Sequence, residues 1–527
     1  MNSLLFRYQT TIVRSLSTLS NYMKSTSFDY VVCGGGTAGC IIGRRLAENP
    51  NVSVCIIEGG PSDEGNETVL DIRKWADLLG TDFDYDYGIE EQLFGNSKIR
   101  HSRAKILGGC SSHNAGIAFI APDVDFDRWE RQGAHGWNAK STRKYYDRVF
   151  EKVNLETIAP LNPLNAAFIH SCKLVNIPEL AMNSDTFVSK FSDCCGYIQL
   201  NAKGFSRYSS ARAYLHPLSS LPSNLTVLTN TTVTKLIIDE QSKTVTTVLT
   251  SGGEQIKVNK ECVLSGGVFD SPKLLMLSGV GREEQLKELN IPCIVNLPGV
   301  GENLLDHPES VLIWESNCSI PEPVLQRYET VLFTKTQSYS DYPDAMFHFG
   351  LEAYDTHTKS YGYPTSEQAF CCTISVTQAK SVGHVRLRSN NYRDPLKIDF
   401  QYFTDKQKHD ERVMVAAFKL ARQIVQQSPF EKWRKCEIAP GEHVQTDEEI
   451  SHYCRQVMNT LYHPAGTCKM GDTEKDEFAV VDSQLKVKGV KNLRVADASI
   501  FPDMISVNLC ITCMMIGEKC ADMIKQE

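Results

Sequence analysis

The chain lacks a surplus of positive charge. Its 55 Lys and Arg stand against 63 Asp and Glu, a formal net charge of -8 over 527 residues. That balance offers no basic footprint to a nucleic-acid backbone. No apolar run reaches the length of a membrane span, and no internal repeat marks a solenoid. Cysteine is plentiful, at 18, yet it lacks the spacing of a disulfide framework. Cys194-Cys195 and Cys371-Cys372 are awkward adjacent pairs, and a reducing compartment suits them better. Cys510-x-x-Cys513 lies in an apolar run and reads as packing rather than as a redox pair. The length exceeds one core and predicts two large domains or one elaborated nucleotide-binding unit.

Acid is missing from the start of the chain. No Asp or Glu precedes Asp29, whereas Arg7, Arg14 and Lys24 are present among Ser, Thr and apolar residues. This composition over residues 1–27 predicts a transit peptide and a mitochondrial address. A leader without an address would leave the protein cytoplasmic. The final Lys525-Gln526-Glu527 is no peroxisomal signal.

What the chain does have begins at Phe28. FDYVVCGGGTAGCIIGRRLAENPNVSVCIIEGG reads as strand, glycine turn, helix, strand and acid. Gly34, Gly36 and Gly39 form a G-x-G-x-x-G fingerprint, suited to a tight turn, a pyrophosphate and close helix packing. Glu58 closes the second strand, where a carboxylate can accept from an adenosine ribose. Further on, Gly108, Gly109, Ser111, Ser112 and Asn114 form a string of backbone donors around His113. Such a string can cradle an anion or a heterocycle edge.

Later segments suggest a second architecture. Val263–Gly281 predicts a buried strand and a helix with Pro272 in its first turn. VGHVRLRS, residues 382–389, alternates like an antiparallel strand of a second, sheet-based domain. Asp410–Gln426 and Thr446–Val457 read as amphipathic helices, the latter with a Thr446/Glu449 capping box. Trp129 and Trp137 read as structural.

RAKILGGCSSHN, GGVFDSPKLLMLSGVG, PGVGENLLDHPE, YHPAGTCKMG and LRVADASIFP occur in the order found in the glucose-methanol-choline oxidoreductase family. The chain is identified as a member of that family from about Phe28 to its C-terminus, and it is most similar to the choline-oxidising members. The resemblance implies an α/β FAD-binding domain of Rossmann-like βαβ type and an α+β substrate domain on an antiparallel sheet. It implies residues 28–161, 215–308 and 461–527 for the discontinuous FAD domain. Residues 162–214 and 309–460 are left for the substrate domain.

The same resemblance distributes the site. His463 and Asn508 correspond to the His/Asn pair facing the flavin, with His348 a further active-site histidine. His463 is expected to stabilise a developing alkoxide, His348 to handle protons and Asn508 to orient the alcohol. His113 corresponds to a histidine covalently linked to FAD. Val233 falls on the adenine side, and Asp497 beside the ribityl or pyrophosphate region. Glu309 matches a carboxylate that meets a trimethylammonium headgroup, and Trp75, Tyr328 and Tyr462 match the aromatic positions around it. Tyr328 replaces a Trp, Ala115 a Ser and Leu461 a Val, and the last two put oxygen reactivity in question. The implied activity is FAD-dependent oxidation of choline through betaine aldehyde to glycine betaine, with oxygen as acceptor. A choline dehydrogenase using a quinone or another respiratory acceptor, and an oxidase of another primary alcohol, remain as alternatives. No metal is expected, and a homodimer is held open as the assembly.

Overall fold

The computed structural model describes residues 26–527. The expected leader lies almost wholly outside the described residues, and Ser27 already belongs to the first strand, Ser27–Cys33. Val31, Val32 and Cys33 of that strand are buried, as suits a strand inside a parallel sheet. It sits within a seven-stranded sheet. In spatial order the main path runs Leu225–Leu228, Val54–Ile57, Ser27–Cys33, Gln255–Leu264, Val245–Thr250 and Val233–Ile238. The first four strands pair in parallel, and the last two extend the sheet by antiparallel pairing. Leu493–Val495 joins alongside Gln255–Leu264, so the C-terminal part of the chain completes the sheet that the N-terminal part begins.

Helix Gly39–Leu46 buries Ile41, Ile42 and Leu46 and lies against the last helix, Cys510–Lys525. Arg45 fixes their register through a 3.0 Å ion pair with the buried Glu518. Helix Ala139–Phe150 flanks the same last helix. Trp129 and Trp137 are structural, as expected: both are buried, and their indole N–H groups donate to the carbonyls of Asp503 and Ser483.

A second seven-stranded sheet is antiparallel throughout. Its main path runs Arg434–Ala439, Pro308–Ser316, Ala369–Val376, Ala345–Gly350, Tyr328–Thr334 and Cys194–Tyr197, with Asn459–Thr460 paired beside Pro308. Strands Tyr328–Thr334, Ala345–Gly350 and Ala369–Val376 are buried along their whole length. The sheet is therefore covered on both faces, and helix His409–Val425 lies against Ala369–Val376. Helix Asp447–Val457 carries the expected capping box between Thr446 and Glu449.

One local expectation is refined and one corrected. The antiparallel strand expected around Val385 is present, but it does not enter the large sheet. His384–Arg386 pairs only with Lys397–Asp399 in a separate ribbon, because alternation reports a half-buried strand without naming its partner. Pro272 is not in the first turn of its helix, which runs Gly267–Leu277, but inside it. A proline there removes the N–H that would bond Val268 O. The Thr467 hydroxyl replaces it, donating to Val268 O at 2.6 Å from a segment 199 residues away. Thr467→Val should leave that carbonyl buried without a partner and lower stability by about 1–3 kcal/mol, whereas Thr467→Ser should not. Denaturant unfolding of the two variants checks this.

Candidate active site

A cavity of about 840 Å3 lies between the two sheets, within the size range of cofactor and ligand sites. One end is the glycine turn after the first strand. Gly34 has φ of 109° and its N–H donates to Ile57 O. A side chain on Gly39 would collide with the Gly34 carbonyl, so helix and strand approach as closely as the fingerprint requires. The second glycine string backs onto the first. Gly108 N donates to Gly35 O at 2.7 Å, and a Cβ on Gly109 would stand 2.7 Å from Gly36 Cα. Gly34, Gly36, Gly109, Glu58, Val233, His113, Asn114 and Asp497 all line the cavity, while Gly39 and Gly108 support it from behind.

Two carboxylates of this end hold backbone. Glu58 accepts from Gly35 N at 2.9 Å and from Gly60 N at 2.8 Å. Burial pushes its carboxyl up to about 7, against the pull of those N–H groups. Asp497 accepts from Gly267 N at 2.9 Å and from the Ser271 hydroxyl at 2.6 Å, at the start of helix Gly267–Leu277. His113 Nε2–H donates to Leu78 O at 3.3 Å. Burial lowers this histidine to about 4, so the ring is neutral and keeps a lone pair on its other nitrogen.

The opposite wall is the second sheet. Glu309 pairs with Ser375 and His348 with Thr373, two residues apart on the same strand, so both side chains stand on one face. Tyr328 lies over Gly350, where an added Cβ would meet its ring at 2.7 Å. Trp75, Tyr328, Tyr462, Glu309, His348, His463 and Asn508 all line this end of the cavity, so every expected substrate and catalytic residue is brought together. Ala115 and Leu461 line it as well.

Electrostatics here follow from burial. Glu309 is 3% exposed. Burial, reinforced by the Asp306 charge, pushes its carboxyl up to about 8. Among the described residues it has no ion-pair partner. His348 is lowered to about 4 by burial, and among the described residues neither ring nitrogen has a partner. Asn508 Oδ1 is likewise buried and unpartnered. His463 is lowered well below its ordinary value, first by burial and then by its histidine neighbours.

Sequence reading left His307 without a role, and the structure supplies one. His307 Nε2–H donates to Ile505 O at 3.0 Å. Its Nδ1 then accepts, and His463 Nδ1–H is the donor across 2.9 Å. The His463 Nε2 lone pair is thereby left for the cavity. The only hint in the sequence was the adjacency of Asp306, His307 and Glu309. Arg103 and Tyr354, both cavity-lining, were also missed. Arg103 contacts the Tyr462 carbonyl at 2.6 Å.

Family models for the N-terminal and C-terminal parts of GMC oxidoreductases match residues 28–309 and 379–517. The chain belongs to the GMC oxidoreductase family. It is 42% identical to choline oxidase of Arthrobacter globiformis over 524 residues, 95% of each chain. It is 32% identical to mitochondrial choline dehydrogenase of Mus musculus, over 94% of this chain and 89% of that one. Among solved structures, pyridoxine 4-oxidase from Mesorbium loti aligns with a TM-score of 0.86 at 25% identity, over 95% of this chain and 99% of that one. The family is one of flavoprotein oxidoreductases, and the paired glycine turns and the size of the cavity fit a dinucleotide.

Gly36 separates fold from cofactor. An added Cβ there meets nothing in the protein closer than 3.6 Å, yet it would intrude on the cradle. Gly36→Ala should keep the unfolding midpoint of the flavin-free protein and retain flavin about tenfold less tightly or worse. Flavin absorbance per protein and calorimetric unfolding check the two halves of that expectation.

Proposed function

We propose that this protein oxidises choline through betaine aldehyde to glycine betaine with FAD as cofactor and oxygen as acceptor. One observation carries the reading. Glu309 is a buried carboxyl without an ion pair among the described residues, in an aromatic-walled cavity that also presents His463, His348 and Asn508. A buried carboxylate requires a compensating charge. An onium ion supplies it, and aromatic faces add about 0.5–2 kcal/mol per contact without hydrogen bonds. Trp75, Tyr328 and Tyr462 supply those faces. The relatives named for choline support the same substrate.

FAD, when bound, supplies the acceptor for the two electrons and the hydride that leave the alcohol carbon. Gly34–Gly36 and the start of helix Gly39–Leu46 would hold its pyrophosphate, with Glu58 available to its ribose and Val233 to its adenine. Asp497 lies on the other side of that turn, and Asn114 and the donors of the Gly108–Gly109 turn would serve the heterocycle. His113, held neutral, has the lone pair needed for a covalent bond to the flavin. The protein's own chemistry is proton handling. His463 is neutral and presents Nε2, so it takes the hydroxyl proton, and its imidazolium then stands beside the alkoxide oxygen. His348 provides a second ring for proton exchange, and Asn508 holds the oxygen so that the carbon–hydrogen bond is aimed. Hydrated betaine aldehyde offers a hydroxyl to the same groups. The division into 28–161, 215–308 and 461–527 for cofactor, and 162–214 and 309–460 for substrate, belongs to this reading.

Anaerobic mixing of the purified flavoprotein with choline, followed by air, tests it. Bleaching of the flavin by choline and its recovery in air are expected, and mass spectrometry of the same preparation should find flavin on the His113 peptide. Bleaching only by other alcohols would remove choline, and recovery only with a quinone would make the enzyme a dehydrogenase.

Glu309 generates a pH test with a definite sign. Below about pH 8 the free carboxyl holds its proton, and an onium ion favours the carboxylate, so binding expels a proton there. Affinity for choline should therefore rise up to about tenfold per pH unit toward pH 8 and flatten above it. The neutral isostere 3,3-dimethylbutan-1-ol should show no such rise. Glu309→Gln should abolish the difference between the two ligands. Inhibition or binding constants for both ligands across that pH range decide it.

A further inference from the structure

Two tyrosines in the cavity wall hold backbone conformations that L-residues avoid. Tyr354 has φ of 41° and Tyr462 φ of 61°. For a bulky side chain a left-handed backbone is strained, and the surroundings must hold it there. One of them is held by a buried amide: Asn459 Nδ2–H donates to the Tyr354 hydroxyl at 2.6 Å. Burial raises the Tyr354 phenol and Asn459 pulls it back, the direction expected of an amide that donates to its oxygen. Asn459 Oδ1 accepts from His357 Nε2–H at 3.2 Å. The amide thus donates to Tyr354 and accepts from His357.

The position of that amide is specific. Strand pairing sets Asn459 directly opposite Glu309, the carboxyl proposed to read the headgroup. Asn459 is buried but does not line the large cavity, so it acts from behind. A small cavity of about 10 Å3 adjoins Glu309, Tyr354, His357 and Asn459. The Tyr354 ring meets Tyr328 edge-on, with centroids 6.2 Å apart, and the Asn459 amide holds its hydroxyl.

We infer that Asn459 is a specificity-positioning residue, which holds Tyr354 against the headgroup position beside Glu309. Tyr354 thereby becomes a further aromatic contact of the cation. The inference rests on the proposed choline reading and deepens it. Asn459 touches no reacting atom, so its loss weakens recognition of the cation and spares the chemical step.

The test compares wild type with Asn459→Ala, Tyr354→Phe and the double variant as holoenzymes. Choline and 3,3-dimethylbutan-1-ol serve as substrates, and tetramethylammonium as an unreactive cationic competitor. Asn459→Ala should raise the choline KM and the tetramethylammonium inhibition constant about tenfold, while kcat stays within about threefold and the neutral alcohol is little affected. Tyr354→Phe removes only the hydroxyl that Asn459 holds and should reproduce part of the loss. If Asn459 acts through that hydroxyl, the two losses are less than additive in the double variant. Equal losses for charged and neutral ligands, full additivity, or an unchanged onium preference in both single variants would overturn the inference alone. If Asn459→Ala does not fold, Tyr354→Phe decides by the same charged-against-neutral comparison. A wild type with no preference for the cation would overturn the choline reading and this inference together.

Discussion

Everything at the catalytic end depends on two buried loops being held edge to edge. Leu305 and Ala465 exchange backbone hydrogen bonds, and Leu461 N–H donates to His307 O. Asp306 locks the crossing: it accepts from His463 N at 3.1 Å and from the Tyr402 hydroxyl at 2.6 Å. Burial alone would push the Asp306 carboxyl up, but hydrogen bonding from His101, Thr460 and Tyr402 outweighs burial and leaves it below the ordinary carboxylate value. A fixed negative charge and a backbone zipper thus bring His307 and His463, 156 residues apart, into one hydrogen bond. The direction of that bond sets which nitrogen of His463 faces the cavity. The tautomer of this cavity-lining histidine is thereby decided by loop pairing.

Burial gives the rest of the site a common character. His348, His463 and His113 are all lowered and Glu309 is raised, so these four groups favour their neutral forms in the protein alone. In the proposed function a ligand would change that balance: a cation would favour the Glu309 carboxylate, and an alcohol proton would convert His463 to its charged form. Charge is then created where a ligand compensates it, which keeps an empty apolar cavity from carrying the full penalty of buried ions.

Legibility in the sequence followed the range of the interactions. The glycine fingerprint, the GGCSSHN turn, the two structural tryptophans and the Thr446/Glu449 cap are set by residues near one another in the chain, and each was readable. Pro272 was misplaced because sequence spacing did not locate the helix start, and its compensation by Thr467 comes from another segment altogether. The ribbon around Val385 has the pattern of a strand, and pattern alone does not choose between the large sheet and a two-stranded neighbour. Glu309 and His348 were found through resemblance, yet their common face depends on antiparallel register with Ala369–Val376. His307, Tyr354 and Asn459 depend on register and loop crossing together, and no spacing rule reaches them.

The placement of Leu493–Val495 within the first sheet bears on how the protein is made. The strand that opens the sheet is among the earliest described residues to leave a ribosome, and its partner sheet strand and the helix covering its turn are among the last. The opening glycine turn emerges long before helix Cys510–Lys525 can cover the helix behind it. Until then the apolar faces of Ile41 and Ile42 stand without that cover, a situation that invites chaperone binding during synthesis. The cavity that the fingerprint opens is therefore finished only by residues near the other end of the chain, Asp497, Asn508 and Cys510 among them.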